Sequence, residues 1–248
     1  MFLLLCSAVY AQFPEIVSYI DDVRINWTQM QFEVLGYSEG NSGSIDWKEG
    51  TACRSITEQL KTYSTSLPIT AQDSLHELLQ TNSSLEKKIL RGINNWQTYE
   101  TRYFSDSEEV EVLGHLSLHL YLQPLLLEYA KVSVPPVKNS DSTGIVIDTR
   151  GTQFSPVLLP EVLKSDGTSI ISADLFSNMQ ARSKLPVRYA ADPAEPLVFK
   201  TAGRTPISLQ VSSTHEGKLV LDQANVLPSP EDIKNLVARG NVIIIVDP

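Results

Sequence analysis

A break in the chain near residue 130 limits every fold open to it. Residues 12–130 carry 17 acidic and 8 basic side chains, whereas residues 131–248 carry 12 of each. Only 3 of the 14 prolines precede residue 131. Between Val132 and Thr143 the chain holds Pro135-Pro136 and the polar run Asn139-Ser140-Asp141-Ser142. A Pro-Pro step forces extended backbone, and the polar run offers no apolar group to bury. This stretch reads as a linker over 131–143, between a first domain at 12–130 and a second at 144–248. A chain of 248 residues is long enough for two small cores. In the competing reading, Val132, Val134 and Val137 form a strand that bridges one core.

Hydrophobic periodicity supplies the elements on either side. In the first region, Met30, Phe32 and Val34 alternate with polar neighbours and predict a strand over 29–38. Gly36, Gly40 and Gly43 read as turn glycines. Ala52, Ile56 and Leu60 recur every four residues and predict a helix over 46–65. A second helical stretch over 71–92 is interrupted at Thr81-Asn82-Ser83-Ser84. Two paired strands follow, at 93–104 and 110–120, with a bulge expected near Gly114. A short helix is expected at Pro124 and the leucines after it.

In the second region, Gly144 to Gly151 predicts a compact buried strand. Residues 157–163 read as a strand or an extended packing segment, and further strands are expected at 169–172, 197–199 and 207–211, with a hairpin turn at Asp166-Gly167. The clearest local signal is near the end. Ser229 is placed to cap a helix whose first turn contains Pro230, Glu231 and Asp232, and Gly240 is placed to stop it. Val242 to Val246 is then an apolar strand, central in its sheet. The expected fold class is α+β: two small mixed domains, each with a short sheet packed by helices.

Composition excludes some partners. A formal net charge of -9 gives no basic footprint for nucleic acid, and it disfavours an anionic membrane surface. The apolar start, Met1 to Ala11, ends in Val9-Tyr10-Ala11, whose small residues suit a signal peptidase. Residues 1–11 are therefore expected to be a signal peptide; the segment is too short to span a bilayer, and no later run reaches the roughly 18 apolar residues a span needs. Cys53 would then be the sole cysteine of the mature chain, acting as a small buried hydrophobe.

No catalytic set assembles from these residues. His115 and His119 lie four apart, but on a strand that spacing is roughly 13 Å, too far for one ion. No serine stands in a Gly-x-Ser-x-Gly elbow. Neither a metal nor a cofactor is expected. Asp148 and Arg150 sit where a buried strand ends, a frequent location for functional groups. They read first as structural or interface residues anchoring the turn at Gly151. An alternative pairs Asp148 with Glu161 or Asp166 as the two carboxylates of a carbohydrate-active hydrolase. Trp27, Trp47 and Trp96 are the carbohydrate-contact candidates of a third reading, a peptidoglycan-binding module.

Two stretches resemble known material. Ile25-Asn26-Trp27 with Phe32-Glu33-Val34-Leu35-Gly36-Tyr37 resembles the opening of small flagella-linked outer-membrane lipoproteins and the N-terminal domain of flagellar assembly protein T. Thr143 to Gly151, followed by Pro156 to Leu163 and Asp166-Gly167, resembles a block found in exported bacterial proteins of the flagellar assembly protein T-like group. The resemblance implies a non-enzymatic, periplasmic or secreted protein of the bacterial cell envelope, acting in structural assembly or protein binding. Its implied partners are envelope or flagellar proteins.

Overall fold

The computed structural model describes residues 13–38, 43–106, 108–129, 142–172, 175 and 185–248. The signal segment at 1–11 and most of the linker at 131–143 lie outside the described residues. The fold is α+β, with a five-stranded and a seven-stranded sheet, each flanked by helices.

The first sheet has the order β1-β2-β3-β5-β4 and is antiparallel throughout. Its strands are β1 (Val17–Ile20), β2 (Val23–Asn26), β3 (Gln31–Tyr37), β4 (Gln97–Phe104) and β5 (Glu109–Ser117). Helix α1 (Ile45–Tyr63) is capped by the Ser44 side chain, which accepts from the Trp47 backbone N–H. Its buried face is Lys48, Ala52, Ile56 and Leu60, and it packs over β3 and β5. The expected interruption near 81–84 is present. Ser74 and Glu77 form a reciprocal capping box on α2 (Leu75–Gln80), and Asn82 caps α3 (Ser83–Gly92).

Three expectations in this region are corrected. Gly36 lies inside β3 and not in a turn. A Cβ there would stand 2.2 Å from the Ala52 carbonyl oxygen, so the absence of a side chain lets α1 reach the sheet. Strand β5 ends at Ser117, and Leu118 opens α4 (Leu118–Tyr129), which contains Pro124. His115 and His119 therefore occupy a strand and a helix, and not one strand. The bulge falls in β4, between Thr98 and Glu100, opposite Gly114 and Leu113.

The second sheet has the order β8-β7-β11-β10-β6-β12-β9. Strands β10 (Ile207–His215), β6 (Ile145–Asp148), β12 (Val242–Ile245) and β9 (Arg188–Ala190) run parallel. The other three are β7 (Val162–Leu163), β8 (Ser169–Ile171) and β11 (Lys218–Leu221). β12 is an interior strand, between β6 and the edge strand β9 and not at the middle of the sheet, and all four of its residues are buried. Its two faces pack differently. Ile243 and Ile245 join Val146, Ala190, Val198 and Ala202 beneath α5 (Pro196–Ala202). Val242 and Ile244 face the larger core, which also contains residues of α6 (Pro230–Ala238). A strand covered on both faces has no polar side to alternate with, hence the continuous apolar run.

Residues 197–199, expected as a strand, lie in α5. Pro196 occupies the first turn, and the Glu195 carboxylate accepts from the Ala191 and Asp192 backbone N–H groups at 2.6 and 3.0 Å. The expected strand over 157–163 narrows to β7. Ser229 caps α6 by accepting from the Asp232 backbone N–H, as anticipated.

The larger core is continuous between the two sheets. Trp27, fully buried, meets Tyr189 of β9 edge-on with ring centroids 5.5 Å apart. The Leu158 and Leu159 backbone N–H groups donate to the Pro68 and Ile69 carbonyls at 3.1 and 2.7 Å. Cleavage between Val132 and Thr143 should therefore give two fragments that remain associated. Size-exclusion chromatography of the nicked protein in native buffer checks this, and separate elution of the fragments would contradict it.

Candidate interaction surfaces

The turn at the end of β6 is built from short-range and long-range contacts. Asp148 accepts from the Arg150 side chain through Nε at 2.9 Å and Nη2 at 2.6 Å, and from the Arg150 backbone N–H at 3.1 Å. Such two-pronged pairing is the geometry a guanidinium offers a carboxylate. Thr149 donates through its backbone N–H and its hydroxyl to the Ile245 carbonyl. Gly151 has φ +81°, in the left-handed region, and its N–H donates to the Asp247 carboxylate at 2.7 Å. Asp148, Arg150 and Gly151 thus form one structural unit that joins the ends of β6 and β12. Asp247 is the member that sequence reasoning missed, since its contact with Gly151 spans 96 positions.

Hydrogen bonds from Arg150 hold the Asp148 carboxyl below its ordinary range, against the opposing effect of burial. A depressed carboxylate contributes stability above its unfolded pKa and loses it as pH falls through the folded value. Asp148→Asn should lower stability by about 1 kcal/mol or less at neutral pH, because solvent screens this partly exposed pair. The difference from the native protein should shrink below about pH 4. Denaturant unfolding at both pH values checks this.

The structure does not bring Asp148 together with either proposed carboxylate partner. Glu161 directly precedes β7, three strand spacings from β6, or about 14 Å. Paired glycosidase carboxylates stand at most about 9.5 Å apart. Glu161 instead pairs with Lys218 at 2.6 Å. Asp166 accepts from the Thr168 backbone N–H at 2.8 Å within the β7–β8 hairpin.

The three tryptophans have different environments. Trp27 is removed from surface contact by burial, and its Nε1–H donates to the Ser18 hydroxyl at 2.9 Å. Trp96 is half-buried beside Gly114, with Nε1–H donating to Thr57 Oγ1 at 3.1 Å. Trp47 is 48% exposed in the first turn of α1. Near it, Tyr103 and Phe104 line a recess of about 550 Å³, together with Ile45 and Lys48. Tyr103 is tied to α1 by its hydroxyl, which donates to Glu49 at 3.3 Å. Lys48 was also missed. It is 4% exposed, and its Nζ donates to the Glu108 carbonyl at 2.7 Å and to its carboxylate at 3.2 Å. That contact fastens α1 to the β4–β5 turn.

A second recess, of about 610 Å³, lies between the sheets and is lined by Tyr19, Pro68, Phe154, Val157, Gly217 and Asp247. Among the described residues, no group of three or more His, Cys, Asp or Glu side chains is arranged to hold a metal. No helix among them is long and apolar enough to cross a membrane.

Residues 144–248, which contain β6 to β12, match the family described as Treponema pallidum Tp0624, second domain. No curated protein matches the chain.

Proposed function

We propose that this chain is a non-enzymatic, exported protein of the bacterial cell envelope, periplasmic or secreted, that acts in structural assembly through protein binding. The observation that carries the reading is the exposed aromatic surface at one end of the first sheet. Ile45, Tyr103 and Phe104 are 60%, 56% and 44% exposed around a single recess, and Trp47, 48% exposed, neighbours it in the first turn of α1. Grouped apolar exposure of this kind marks interaction sites more often than scattered surface hydrophobes do. The surface is held by Lys48 and by the Tyr103–Glu49 contact, so it is presented on regular elements and not on a free loop. The leader-like Met1–Ala11 segment supports export. The resemblance to flagellar assembly protein T supports envelope proteins, flagellar ones among them, as the partner class.

A photo-crosslinking residue at Trp47 should capture a defined envelope protein in native cells, while one at exposed Glu231 on α6 should not. Recovery of the intact chain in the cytosol, or equal capture at both positions, would count against the proposal.

The same exposed rings support a second reading, a peptidoglycan-binding module. Aromatic faces stack on sugar rings, and Trp47 is the one tryptophan of the three candidates presented to solvent. Cosedimentation with insoluble peptidoglycan that is lost on Trp47→Ala would favour it over protein binding.

A further inference from the structure

We propose that a second copy of this chain pairs with β4, antiparallel and across a two-fold axis at Thr101. Among the described residues β4 pairs only with β5, so its outer edge is an unpaired row of backbone donors and acceptors. It is eight residues long, with a bulge after Thr98 that leaves Glu100 to Phe104 as its regular stretch, and seven of its side chains are exposed. Open edges of this length invite another strand unless something blocks them.

The sequence of β4 determines which strand fits. Past the bulge at Tyr99 its regular stretch opens Glu100-Thr101-Arg102, with opposite charges placed symmetrically about Thr101. In a two-fold antiparallel pair, directly opposed residues must point to the same side of the sheet, so only registers that preserve parity are allowed. Centring on Thr101 sets each Glu100 opposite the other copy's Arg102, while Tyr99, the extra residue of the β4 bulge, stays stacked on His115 outside this pairing. Moving the centre by one residue sets Glu100 opposite Glu100, or Arg102 opposite Arg102. Parallel in-register pairing repeats both conflicts. Opposite charges across strands attract and like charges repel, so one register is favoured and its neighbours are rejected.

Glu100 and Arg102 already share a face with Glu111 of β5. Arg102 donates to Glu100 at 2.9 and 2.8 Å and to Glu111 at 3.0 Å. A partner's charges would extend that row across the seam. The other face of β4 carries Thr101 and Tyr103, which register with buried Val112 and Val110 on the side of α1. The permitted symmetry keeps both α1 helices on one side. The two five-stranded sheets would then form one continuous ten-stranded sheet.

The test is sedimentation of the purified chain over a concentration series up to its solubility limit. The native protein should show a reversible monomer–dimer equilibrium. Glu100→Arg and Arg102→Glu, each alone, should weaken the dimer about tenfold or more, because each places like charges opposite one another twice. The double swap Glu100→Arg with Arg102→Glu should recover dimerisation. All three are made with Glu111→Gln, which removes the carboxylate that would repel a reversed side chain at 102, and circular dichroism verifies folding. A monomer at every concentration overturns the proposal. So does a dimer indifferent to the single reversals, or one that the swap fails to recover.

Discussion

Trp27→Ala is expected to destabilise the protein by about 3–5 kcal/mol, the range for deleting a large aromatic from a core. The indole is fully buried, and it meets Tyr189 on the other sheet in a T-shaped contact. Phe154 stacks on Tyr189 from a further position, with centroids 6.4 Å apart. The Tyr189 hydroxyl donates to the Val157 carbonyl at 2.5 Å, which fixes the ring that Trp27 packs against. Surrounding groups are thus poorly placed to collapse into the cavity. The substitution should lower the denaturant midpoint seen by probes on both sheets, with the transitions remaining coincident. A loss confined to the first sheet would show that the shared core is not cooperative.

Gly36→Ala should cost about 3 kcal/mol, the upper end for overpacking, despite adding a single methyl group. The added Cβ would sit 2.2 Å from the Ala52 carbonyl oxygen and 2.7 Å from Ile56 Cγ1. A side-chain end could rotate away, but the Ala52 carbonyl belongs to the middle of α1 and moves only if the helix lifts. Lifting α1 would also disturb Ile56, which sits over Gly114 on the neighbouring strand. Thermal unfolding measures the cost. Gly50→Ala, on an open part of the same helix, is the control and should leave stability unchanged or slightly raised.

Local signals were legible wherever a residue acts on its own neighbourhood. Ser229 and Gly240 bracket α6, and Asn82 restarts a helix at the interruption expected from composition. The burial of β12 on both faces followed from its unbroken apolar run. The misreadings arose where distant contacts decide. Leu197-Val198-Phe199 suits a strand by propensity, yet Pro196 opens a helix there, and the Glu195 carboxylate ties the residue before it to the Ala191 and Asp192 backbone. Gly36 resembles a turn glycine until α1 is laid across it. Lys48 stands four residues before Ala52, on the apolar stripe, so its burial could have been read from spacing alone. Its partner at Glu108 could not. The Asp148–Arg150 pair was accessible because its members are two residues apart, whereas Asp247 reaches Gly151 only after the second sheet is complete.

The core shared by the two sheets also sets an order of events when the chain is made. Synthesis delivers β1 to β5 before β6 to β12, so Trp27 and its neighbours emerge well before Tyr189 exists to cover them. During that interval the leading half carries an apolar face with no mate. A nascent segment in this condition is prone to aggregate or to be held by a chaperone. Escape comes only when β9 and β12, near the trailing end, have docked.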